Sequence, residues 1–131
     1  MDDQIQVESR PLDLDVGAVF RQFMRHMQMK QYAEARAAAN RVTQAMGAQH
    51  VMSLRVQGYL ALAQNELASA MDQYLQLQAS FPDDREAGFN LAVIDWRLGN
   101  KVSALRRAQV LMQKHPDDIE VRTFYFSIRS S

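Results

Sequence analysis

Few residues in this chain are equipped for chemistry, and their spacing argues against most reactions. Three histidines, His26, His50 and His115, are scattered, with no two at the i, i+4 spacing that puts side chains on one helical face. A metal site needs clustered ligands, so none is expected. Cysteine is absent, which removes disulfides, thiolate zinc sites and a cysteine nucleophile. No GxGxxG, P-loop or nucleophile elbow occurs, so a phosphate-cradling loop and an activated serine are not expected either. What remains is two paired carboxylates, Asp83-Asp84 and Asp117-Asp118. Each pair follows a proline, Pro82 or Pro116, and the interval between those prolines is one that the chain uses again. Recurrence at the same place points to helix starts, where a short acid accepts hydrogen bonds from the free N–H groups of the first turn. Capping, rather than acid–base catalysis, is therefore expected of them, and no cofactor is implied.

The recurrence extends beyond the prolines to the elements that carry them. The interval from Pro82 to Pro116 also separates Gly58 from Ala92 and Ala70 from Ala104. From Ala35 to Ala70 it is longer by a single position, which places one extra residue in the connection at 47–50. A fixed period of this length, about 34 residues, signals stacked structural repeats. With 5 glycines, 3 prolines and 47% apolar residues in 131, the chain lacks the turns that a sandwich or barrel needs and suits helices. Helices are expected at about 16–29, 32–46, 50–64, 67–80, 85–98, 101–114 and 118–129. Tyr74 and Leu77 share a helical face, as do Ala104, Ala108 and Leu111. Gly99-Asn100 can take the left-handed conformation that ends a helix.

Residues 16–129 resemble the tetratricopeptide repeat, a helix–turn–helix unit of about 34 residues. Gly58, Ala70, Tyr74 and Pro82 match its pattern in the central repeat. Leu91, Ala92, Gly99-Asn100, Ala104, Leu111 and Pro116 match it in the third, and Tyr32-Ala33-Glu34-Ala35 looks like the turn and second-helix start of the first. Four positions depart from the pattern. Leu54 and Gly88 stand where an aromatic is usual, Gln57 where leucine is usual and Asp95 where tyrosine is usual. The resemblance implies an all-α fold, a right-handed α-solenoid of antiparallel helix pairs with about seven helices. Its domain would span 16–131, with repeats at about 16–49, 51–82 and 85–116 and a capping helix at 118–129.

In that family the first helices of the repeats line a concave groove, which maps here onto three stripes. They are Gly17, Phe20, Met24 and Met27; Met52, Arg55, Tyr59 and Leu62; and Glu86, Phe89, Val93 and Trp96. Asn90 and Arg97 lie beside the third stripe, so the expected partner-binding residues run from Phe20 to Arg97. Methionine adapts to varied shapes, and tyrosine and tryptophan supply contact area at low entropic cost. The lysine–asparagine clamp by which some members hold a C-terminal carboxylate does not carry over. Met24, Tyr59 and Val93 stand where asparagine is needed, and the groove positions lack lysine. Arg21, Arg55 and Arg97 are nevertheless placed to pair with acidic partner groups. A floor of this kind with an arginine rim suits an extended segment or amphipathic helix with apolar anchors.

Charge separates the chain into two parts. Basic and acidic residues are equal at 15 each, but residues 1–15 hold five acids against Arg10 alone. The remainder is therefore mildly basic, and 12 of the 15 basic residues are arginine. The segment 1–15 is expected to be an acidic, disordered N-terminal tail. Its Ile5, Val7, Leu12 and Leu14 alternate with polar residues, so it could itself lie in the groove. Zero net charge argues against nucleic acid as a partner. No run of 18 apolar residues occurs, so no membrane span is expected. The acidic start has no apolar core of a signal peptide, which favours the cytoplasm, with the periplasm as alternative should a leader have been removed.

Taken with the absent chemistry, the resemblance implies a non-enzymatic protein–protein interaction module. It would be an adaptor or chaperone that binds a partner segment in its groove, as small bacterial secretion chaperones and pilus-assembly factors of this type do. The alternative is a self-associating structural scaffold, a homodimer joined through the terminal helix or the N-terminal tail.

Overall fold

The computed structural model describes residues 15–131. Among the described residues the chain is all helical: α1 (Val16–Gln28), α2 (Tyr32–Met46), α3 (Val51–Ala63), α4 (Leu67–Ser80), α5 (Arg85–Arg97), α6 (Lys101–Lys114) and α7 (Ile119–Arg129). Each bound lies within one residue of its expected place. The expected disorder of the tail falls, apart from Asp15, outside the described residues. Among those described, no helix is long and apolar enough to cross a membrane.

Two kinds of local signal punctuate the chain. Aspartate starts three of the odd-numbered helices. The Asp15, Asp84 and Asp118 carboxylates accept from the backbone N–H of Ala18, Ala87 and Val121 at 3.0, 3.0 and 3.1 Å. At α3 the cap is His50, whose Nδ1 accepts from the Met52 N–H at 3.1 Å. Of each Asp-Asp pair only the second residue caps, because only it sits at the N-cap position; Asp83 pairs with Lys114 instead. The even-numbered helices follow tight turns, each with one left-handed residue: Lys30 (φ 58°), Asn65 (φ 59°) and Gly99 (φ 86°). These three positions follow the repeat, with the extra residue of the 47–50 connection between the first two, and their turns share one hydrogen-bond pattern. The next N–H in each, from Gln31, Glu66 or Asn100, reaches back to the carbonyl of His26, Ala61 or Asp95 at 2.8 Å. The repeat is thus written into the backbone as well as the side chains.

Each helix packs against the next in sequence, and α1 also reaches α3. The outcome is a solenoid of consecutively packed helices, with its core running lengthwise. One cluster joins Phe23 of α1, Ala39 and Val42 of α2, and Val56 and Leu60 of α3. A second joins Leu54 of α3, Ala70, Tyr74 and Leu77 of α4, and Leu91 and Ile94 of α5. A third joins Ala104 and Ala108 of α6 to Ile128 of α7, with Trp96 against it. Burying each large side chain contributes about 1.5–3 kcal/mol. Helix α3 serves two clusters and so is buried on most of its surface, which explains why polar residues are scarce in it. Small residues set the helix separations: Ala35, Ala70, Ala92 and Ala104 are fully buried.

Candidate functional site

Helices α1, α3 and α5 lie side by side along the stack and enclose a cavity of about 260 Å³. Phe20, Phe23 and Met24 come from α1, Arg55 and Tyr59 from α3, and Glu86 and Asn90 from α5. The aromatic floor is ordered by edge contacts. The Phe23 ring lies 6.1 Å from that of Tyr59 at 67°, and 6.3 Å from that of Phe20. Phe23 is fully buried, so it anchors the floor while Phe20, Met24 and Tyr59 remain partly accessible.

The polar wall carries an ion network. Arg55 donates through Nη2 to Asp84 Oδ1 and through Nη1 to Glu86 Oε1, each at 2.5 Å, with a further Nη1 bond to Asp84 Oδ2 at 3.1 Å. Its hydrogen bonds to Asp84, aided by Glu86, push the guanidinium pKa further up, and the same contact holds the Asp84 carboxyl below the usual range. Beneath it, the buried Tyr74 hydroxyl donates to Glu86 Oε2 at 3.4 Å, and burial drives its pKa well above the ordinary value. This corrects the expectation that Arg55 would receive a partner's acid. Its fork is already occupied by two carboxylates from the start of α5, so the wall carries one negative charge in excess.

An equivalent network joins the next pair of helices. Arg85 donates from Nε to Asp118 Oδ2 at 2.8 Å and from Nη2 to Glu120 Oε1 at 2.7 Å. That contact lowers the Asp118 pKa to about 2. The acids Asp84 and Glu86 recur one repeat later as Asp118 and Glu120. Each pair takes an arginine from the odd-numbered helix before it, so the period encodes a staple between repeats. The acid spacing was visible in the sequence; the arginines were not, because Arg55 and Arg85 occupy different repeat positions.

The other groove candidates distribute differently. Met52 is partly buried against the first core cluster. Met27 and Leu62, at 6% and 9% exposure, belong to the core rather than to the cavity surface. Trp96 packs on Ala104, Ala108 and Ile128. Met27, Leu62 and Trp96 stand in the last turn of their helices, where the tight turn folds the following helix back over them. Phe89 lies beneath the Arg85 guanidinium, 4.8 Å from its ring centre, and edge-on to Phe124 of α7 at 5.5 Å. Val93 is partly buried, and Arg97 is exposed, with Nη1 3.5 Å from the Leu62 carbonyl oxygen. The cavity therefore brings together Phe20, Met24, Arg55, Tyr59 and Asn90 of the expected set. It also takes in Glu86 of the third stripe and adds Phe23, which the stripe spacing passed over. No protein-family model and no curated protein matches this chain.

Proposed function

We propose that this chain is a non-enzymatic protein–protein interaction module of tetratricopeptide type, an adaptor or chaperone that holds a partner segment in the groove formed by α1, α3 and α5. The observation that carries this proposal is the cavity at Tyr59, where three successive odd-numbered helices each contribute side chains to one concave surface. Apolar rings and a methionine form its floor, and the Asn90 amide and Glu86 carboxylate offer polar partners at its edge. A surface of this make-up receives one large apolar anchor side chain and hydrogen-bonds the peptide around it. Service in a bacterial secretion or pilus-type assembly is the setting that the family resemblance suggests. Peptides selected on the full chain from a random phage-displayed library provide the test. Selected peptides are expected to lose roughly tenfold or more in affinity with Tyr59→Ala or Met24→Glu. Peptides that bind both variants as tightly as the native chain would sink the groove.

A second proposal, self-association through α7, rests on Ile119 and Phe126, which are 77% and 44% exposed and stand two helical turns apart on one face. Light scattering over a concentration series separates the two: a mass that stays at one chain removes the scaffold.

A further inference from the structure

A second cavity, of about 280 Å³, opens between α4, α5 and α6, where two successive repeats differ in their side chains. Leu54 is 2% exposed and clusters with Leu77 in the earlier repeat. Their equivalents one repeat later are Gly88 and Leu111; Gly88 has no side chain, and the Leu111 side chain lies directly against it, with Cδ2 3.0 Å from where a Cβ would stand. The polar surroundings change in the same step. Asp72, Gln73 and Ser80 of the earlier repeat become Arg106, Arg107 and Lys114, all three of which line the cavity. Ala61 becomes Asp95, which is 4% exposed and organises the wall. Its Oδ2 accepts from Ser103 Oγ at 2.7 Å and from Arg107 Nε at 2.8 Å, while Arg107 Nη1 donates to Gln78 Oε1 at 3.3 Å. The guanidinium of Arg107 is thereby fixed. The two acids at the margin are already engaged: Asp84 with Arg55 and the Ala87 N–H, and Asp83 with Lys114. Arg106 forms no ion pair among the described residues.

Gly88, Val110 and Leu111 give the cavity an apolar wall, and of the three cations on its rim Arg107 and Lys114 are paired with Asp95 and Asp83, which leaves Arg106 without an acid partner among the described residues. We propose that this cavity binds a small amphipathic acid, with an aromatic or branched body against Gly88, Val110 and Leu111 and an anionic group at Arg106 and Arg107. Its volume lies near the lower end, about 300 Å³, of small-molecule sites. The site is separate from the Tyr59 groove, which draws on α1 and α3 and on other residues of α5.

Anilinonaphthalene sulfonate, an aromatic acid whose fluorescence rises on burial, is a suitable probe for the full chain. A single saturable site is expected, with amide shifts at Gly88, Ser103 and Leu111. Neutral N-phenylnaphthylamine, the same ring system without the sulfonate, should bind at least about tenfold more weakly, the worth of one charge-assisted hydrogen bond. Gly88→Leu restores the side chain of the preceding repeat and should reduce sulfonate affinity by about the same factor or more. Arg106→Glu provides an independent arm, since Arg106 is exposed and its replacement leaves the packing intact. Arg41→Glu, at an exposed arginine of α2 that lines neither cavity, should leave the sulfonate affinity unchanged. The proposal is overturned if Arg106→Glu leaves the affinity unchanged, if the neutral ring binds as tightly, or if the shifts appear around Tyr59 instead.

Discussion

A methyl group added at Gly58 would lie 3.0 Å from two ring carbons of Tyr74, Cε2 and Cζ. That ring is fully buried and tethered through its hydroxyl to Glu86, so it has nowhere to retreat. Gly58→Ala should therefore cost about 1–3 kcal/mol in urea unfolding, despite alanine's better helix propensity. Gly88→Ala is expected to behave oppositely. The nearest atom there, Leu111 Cδ2 at 3.0 Å, ends a flexible side chain that borders a cavity. With room to turn, the leucine moves aside and stability is unchanged or gains up to about 1 kcal/mol. Equal losses at the two glycines would contradict this account. Lys30 carries the positive φ that its counterpart Gly99 adopts freely. Lys30→Gly should raise stability by about 1 kcal/mol, read from the same unfolding curves.

The stapled helix starts govern how consecutive elements hold together. Asp84 both caps α5 and receives Arg55 from α3, so Asp84→Ala removes two interactions at one point. A loss of about 1–2 kcal/mol is expected from the cap, together with faster amide exchange where α5 begins. At α7 the staple makes docking depend on acidity. The Asp118 carboxyl titrates at about 2 in the folded chain, against an ordinary value of 3.8. A depressed carboxyl contributes stability that is fully present above its unfolded value and disappears as pH falls through its folded one. Amide signals of α7 should accordingly begin to move below pH about 4, and Arg85→Gln should shift that step to higher pH. An α7 response that survives Arg85→Gln unchanged would show that another group titrates.

Because each helix touches mainly its neighbours in sequence, the molecule behaves as a one-dimensional stack. Protection from amide exchange should be greatest in α3, which two core clusters share, and least in the terminal helices α1 and α7. Removing 118–131 takes away Ile128 and Phe124, leaving Ala104, Ala108, Trp96 and Phe89 without their cover. The shortened chain should melt earlier and less cooperatively, and should associate in light scattering. A truncated chain that stays monomeric with an unchanged melt would mean that α7 is no part of the cooperative unit. The two cavities open between different sets of helices, so the proposed peptide groove and the proposed acid site can be tested independently.

Helix order and boundaries were legible in the residues because their signals are local. An aspartate accepts from an N–H three residues on, a left-handed residue closes its own turn, and a proline stops the helix that precedes it. Recurrence at a fixed interval then identified the stack, since equivalent residues meet equivalent neighbours in each unit. The surfaces were not legible in the same way. Spacing places Met24 and Met27 on one face of α1, but it does not tell how far the next helix folds over that face. Met27 is consequently core while Met24 borders the cavity. Nor does spacing show that Arg55 meets two acids 29 and 31 residues away, which turns an apparent acid receptor into an occupied staple. Gly88 read as a lapse in a pattern until α4 and α6 were in place around it. Accessibility, ion pairing and empty space belong to pairs and triples of helices, so they take form only when the helices pack.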